Sequence, residues 1–235
     1  VLRFGLITLC ALLAMAGLAA LGCWQLDRAA QKRSIHEAIE ARRAFPALSN
    51  LDLLQKGDWL HRQVQLQGEW LPDATVYLDN RQMQGRVGFF VLTPLRLQGR
   101  PEVVLVQRGW IARDFLERTR LPHVATPAGV VEITGRIAAA PERLYEFAQA
   151  TPEQGFSRIR QNLDLPAYAA EFVLTLLPWT VVQTGAPSNG LQRQWMDIGS
   201  GVEKHYGYAF QWFMLCALVA FLYVWFHIVR PQHPD

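Results

Sequence analysis

The sequence predicts an α+β membrane protein: two transmembrane helices flanking an antiparallel β-barrel or sandwich-like soluble domain with short helices. Three observations carry this. Phe4–Leu26 holds no Asp, Glu, Lys or Arg, and neither does Tyr206–Val229. Each run is roughly 23 residues, about 35 Å of helix, against the ~20 apolar residues that a bilayer core requires. Between them, from Asp27 to Lys204, charges and turn residues recur throughout and the apolar period changes to two.

The first run reads as a span, not a cleaved signal. It is too long for a signal core, and in "ALGC" the bulky Leu21 stands where lipidation at Cys23 would call for a small residue. The helix continues to about residue 44, because Leu26, Ala30, Ile35, Ala38 and Ile39 recur at helical spacing until Pro46 ends the run. A β-rich domain is expected over 45–204, a second span over 205–229 and a tail over 230–235.

Inside the loop domain a short helix is expected near Leu51–Lys56. "RQVQLQGEW", which starts at Arg62, alternates Val64 and Leu66 with glutamines, as a half-buried strand does. "TVYLDNR", "VGFFVLTPLRL", "EVVLVQRGWI" and "GVVEITGRIA" are further strands, with a hairpin turn at Gly99–Pro101. A helix at Pro166–Phe172 and a last strand through Trp179–Gln183 complete a six-stranded antiparallel barrel or sandwich.

Composition excludes several functions. The net charge is +3 and scattered, which makes no case for nucleic acid. Cys10, Cys23 and Cys216 all fall in or beside the apolar runs, so the loop domain has no disulfide or thiolate metal site. His36, His61, His123, His227 and His233 lack partners at metal-ligand spacing. "GSGVEKH" lacks the ending of a phosphate loop, and no nucleophile elbow occurs, so an enzyme is not expected. Arg108, Gly109 and Trp110, which close a strand with a cation, a flexible joint and a ring, read as a partner-binding candidate or as a tryptophan sealing the barrel.

The two spans meet one face of the membrane through "GCWQLDR" (Gly22–Arg28) and "HYGYAFQWF" (His205–Phe213). Interfacial belts explain Trp and Tyr, but not Gln211, because polar groups in a bilayer seek protein or a cavity. His205, Tyr208, Ala209, Trp212 and Cys216 share one helical stripe headed by an imidazole. Such a stripe suits a flat metal-centred macrocycle; equally, it is the face by which the second span packs on the first. Basic residues crowd the loop side, yet long domains cross membranes regardless of charge, so the charge rule leaves orientation open.

In order along the chain, "LGCWQLDRAAQK", "VQLQGEWLPD", "LDNRQMQGRVGFFVLTPL", "VLVQRGWI", "RIRQNLDL", "GLQRQW" and "HYGYAFQWF" resemble the Surfeit-locus-one family, assembly factors of haem-copper cytochrome c oxidase. Gln107 replaces the asparagine usual in its "N-R-G-W" signature. The resemblance implies a two-pass protein of the bacterial inner membrane with a periplasmic domain and both termini cytoplasmic. It implies delivery of haem a to the oxidase catalytic subunit, or stabilisation of that subunit while haem enters, with haem a synthase as a further partner beside lipid. It places the haem iron's axial ligand at His205. Tyr208 and Trp212 are then expected to pack the ring, Trp24 and Gln25 to complete the pocket, Arg28 to meet a propionate, and Gln211 to bind a partner. The alternative is a membrane scaffold that grips oxidase subunits and holds no haem.

Overall fold

The computed structural model describes residues 2–55, 57–114, 116–117, 120–144, 157–195 and 201–230. It forms two compact units, one built on Ala41–Met196 and the other on Val1–Glu40 with Asp197–Asp235. The tail expected at 230–235 lies outside the described residues beyond Arg230.

The first unit holds seven strands among the described residues: β1 (Gln63–Trp70), β2 (Val76–Met83), β3 (Arg86–Leu97), β4 (Val103–Ala112), β5 (Val130–Ala138), β6 (Ile159–Arg160) and β7 (Leu176–Gln183). Their order is β1-β5-β7-β4-β3-β2-β6, and a further pairing of β1 with β3 closes the first five into a ring. The twelve-residue β3 makes this possible. One of its edges pairs with β4, while the other is shared between β2, through Leu92, and β1, from Leu95.

Alternation fixes which side chains enter the ring. Every second residue of β1 is buried, from Val64 to Trp70, and these meet Leu95, Leu97, Val104, Val106, Ile133, Ile137 and Val181 from the other strands. β4 is buried on both faces, with Leu105 facing a second cluster beneath α2 (Leu165–Glu171). Asp164 caps α2, accepting from the Ala167 amide at 3.0 Å, and Pro166 opens its first turn. The β2–β3 turn needs two left-handed residues, Gln84 and Gly85 at φ 50° and 74°, as two-residue hairpins of this twist do.

The expectation of a purely antiparallel sheet is corrected. β7 runs parallel to β4 and β6 runs parallel to β2. β7 inserts between β5 and β4, antiparallel to the first, so closing the ring fixes its direction against the second. The two-residue β6 is too short to leave a periodic signal, and the helix expected near Leu51–Lys56 is a single 3₁₀ turn, Asp52–Leu54.

The second unit is a pair of helices, α1 (Leu2–Arg43) and α3 (Val202–Val224), the latter continued by one π-helical turn through Val229. Both are long and apolar enough to cross a membrane. They run antiparallel, since their partners descend α3 as they climb α1. Thr8 bonds the Tyr223 hydroxyl at 2.8 Å, Cys216 the Met15 carbonyl at 3.5 Å, and Gln25 meets His205. The covered residues of α1 include Thr8, Ala11, Met15, Leu18, Gly22, Gln25, Ala29 and Lys32, which follow one another alternately three and four apart, the seam of a two-helix coil. Ala209 is the buried centre of the facing stripe. A Cβ on Gly22 would stand 2.7 Å from the Phe213 ring, so only glycine leaves room for that ring here.

Candidate functional site

His205 lies in the first turns of α3, and Gln25 lies on the α1 seam, one helical turn from Gly22. Antiparallel register brings them together: His205 Nδ1 is 2.7 Å from Gln25 Oε1. The imidazole is half-buried. One of its nitrogens is thus engaged by an amide from the facing helix.

Helical geometry sorts the other candidates. Successive residues turn by about 100°. With Ala209 as the centre of the α3 face, His205, Trp212 and Tyr208 fall about 40–100° to one side, and Tyr206 and Phe213 about 40–60° to the other. With Gly22 as the centre on α1, Gln25 and Arg28 fall on one side and Arg33 on the other. The Gln25–His205 contact joins the first pair of sides. The second pair is joined where the Arg33 guanidinium donates to the Tyr206 hydroxyl and lies 5.6 Å from its ring centre.

One flank of the hairpin therefore gathers Gln25 and Arg28 from α1 with His205, Tyr208 and Trp212 from α3. Trp212 is half-buried and Ala209 is buried, as the stripe requires. Tyr208 sits off the stripe, 53% exposed on the open flank, because it is one residue round from the seam. Trp24 lies about 160° from the α1 seam and is 49% exposed, so it does not close a pocket against α3. Its ring meets Arg28, whose guanidinium lies 5.5 Å from the ring centre and donates to Gln31 Oε1 at 3.2 Å. Gln211 is exposed on the outer side of α3.

Arg108, Gly109 and Trp110 lie in the sheet. Arg108 and Trp110 are each 1% exposed and Gly109 is also buried, so none offers a surface to a partner. Leu92 pairs with Gln107 and Val91 with Gly109, which leaves Arg108 as the extra residue of a β-bulge. Its guanidinium turns over the Trp70 ring at 4.7 Å and donates to Thr126 Oγ1 (2.8 Å) and the Ala125 carbonyl (2.9 Å). Burial, with Arg193 adding to it, pushes its pKa down to about 10. Gly109 gives Leu191 and the Gln192 carbonyl room to approach, since a Cβ would stand 2.7 and 2.8 Å from them. The Trp110 indole donates to the Arg81 carbonyl at 2.9 Å. The triplet seals and fastens the barrel.

Sequence reasoning missed the Arg33–Tyr206 clasp and the Thr8–Tyr223 bond. A signal for the seam was available in Thr8, Gln25 and Lys32, polar residues that fall on one three-four stripe of α1. Among the described residues no cluster of His, Cys, Asp and Glu could hold a metal ion alone.

Residues 12–217 match the family described as SURF1. The chain belongs to the SURF1 family. It is 24% identical over 213 residues to a SURF1-like protein of Rickettsia prowazekii, covering 88% of this chain and 84% of that one. It is 25% identical to a SURF1-like protein of Drosophila melanogaster, covering 91% and 74%. A shorter match, 29% identical over 114 residues, is to the cytochrome oxidase assembly protein SHY1 of Saccharomyces cerevisiae. It covers 46% of this chain and 29% of the yeast protein, well under half of that relative's length.

Proposed function

We propose that this SURF1-family chain is a non-catalytic assembly factor for cytochrome c oxidase that assists haem a delivery to the catalytic subunit. α1 and α3 cross a bacterial inner membrane, and the β unit stands in the periplasm. Family membership and the role named for the yeast relative support the assembly role. The observation that carries the haem reading is the Gln25–His205 contact, which occupies Nδ1 and leaves Nε2 as the nitrogen able to ligate.

The residues on that flank fit a haem. His205 would hold the iron by an axial nitrogen. Tyr208 and Trp212 supply aromatic faces beside it, and Arg28, one turn from Gln25, supplies a cation for a propionate. A haem a so held is cargo, and its chemistry is exercised in the oxidase. The chain's own residues bind it, orient it and keep its apolar body out of water.

The test is the visible spectrum of protein purified from cells that make haem a. His205→Ala should lower haem content about tenfold or more, and an unchanged spectrum would remove His205 as the ligand. The same flank, with exposed Tyr208 and half-buried Trp212, also fits a second reading, in which it grips a transmembrane helix of the oxidase and holds no haem. That reading expects colourless protein and weaker copurification of the catalytic subunit with Trp212→Ala.

A further inference from the structure

We infer that Gln25 is a positioning residue that fixes the tautomer of His205 and so makes Nε2 the atom presented to a ligand. The purpose rests on the haem reading above; the effect on the imidazole does not. Gln25 Oε1 faces Nδ1 at 2.7 Å. A carbonyl oxygen can only accept, so in the neutral ring this contact puts the proton on Nδ1 and leaves the lone pair on Nε2. A neutral imidazole left to itself favours the proton on Nε2, the atom needed as ligand. Gln25 reverses that preference.

The choice of an amide has a physical reason. A carboxylate would orient the ring more strongly, but it would place a further negative charge two residues from Asp27, inside the uncharged run that ends at Leu26. An amide orients without charge. Clasping the helices together is a weak rationale by itself, because hydrogen bonds between spans contribute little on average. Gln25 also comes from the helix opposite His205, so the tautomer is set only when the hairpin is in register. A misregistered hairpin leaves Nε2 protonated and so weakens it as a ligand.

The experiment uses the full chain in lipid nanodiscs, haem-free, with ¹⁵N-labelled histidine, the His205 signals being assigned by their loss in His205→Ala. Wild type should show a protonated Nδ1 and a bare Nε2. Gln25→Ala should move the proton to Nε2, and Gln25→Glu, which can only accept, should keep the wild-type pattern. Titration with ferric haem b should then find Gln25→Ala about 10- to 100-fold weaker than wild type and Gln25→Glu restored, with a lower haem midpoint potential. A wild-type Nε2–H, or a tautomer unmoved by Gln25→Ala, overturns the inference whatever the titration shows. Equal haem affinity for wild type and His205→Ala overturns the haem reading instead and leaves the assignment of Gln25 standing.

Discussion

Arg108 shows how a residue type that reads as functional can be structural. A cation beside glycine and tryptophan at a strand end looks like a contact point, and its burial depends on a bulge that no local pattern announces. Tyr168 is the converse: one aromatic in a short helix, wholly buried, whose hydroxyl donates to the Ala74 carbonyl and ties α2 to the turn before β2. Burial raises its pKa above the usual tyrosine range; Arg160 opposes this and Glu171 adds to it. The folded state therefore holds the proton more tightly than the unfolded chain does. That stability is fully present below about pH 10, the unfolded value, and is lost as pH rises beyond it. Tyr168→Phe should cost about 1 kcal/mol at neutral pH through the lost hydrogen bond. It should also flatten the alkaline fall in stability by up to about 1.4 kcal/mol per pH unit. Urea unfolding at pH 8 and above pH 10 checks both; an unchanged alkaline slope would show that Tyr168 is not the group responsible.

At the scale of elements, the register between α1 and α3 decides what the site can be. The apolar runs predict two spans but do not say which residues of one meet the other. Small residues at the seam, Gly22, Ala29 and Ala209, allow the covered stripes to face each other, and the Phe213 ring fills the space over Gly22. Gly22→Ala should push that ring aside and cost about 1–3 kcal/mol, as overpacking does. Gly22→Ala combined with Phe213→Ala should cost less than the two single changes together, because they share one contact. Thermal unfolding of the hairpin helicity in detergent reads the difference, and strict additivity would mean that the two residues do not meet. The seam spacing on α1 was legible in the sequence once Thr8, Gln25 and Lys32 were read as one stripe. The flank carrying Tyr208 and Arg28 was not, since it depends on matching the sides of two helices.

For the whole molecule, closure is the deciding event. Five strands form a ring because β3 is long enough to serve two neighbours on one edge, and β7 enters between β5 and β4 from a distant part of the chain. Orientation in the membrane is the property of the whole chain most open to direct test. A periplasm-dependent reporter such as alkaline phosphatase, inserted in the exposed turn at Gly185–Asn189, should be active, and the same reporter after Arg230 should be silent. The opposite pattern would reverse the proposed topology and place the His205 end of the hairpin at the cytoplasmic face. By itself the sequence determined what depends on neighbours along the chain: two apolar helices, the alternation that makes β1 a half-buried strand, the start of α2, and the stripe headed by His205. Only the tertiary structure decided which partners distant residues find. It made the sheet mixed, buried Arg108 against Trp70, turned Trp24 away and set Gln25 against His205, because pairing across the fold depends on closure and register, which leave no period in the sequence.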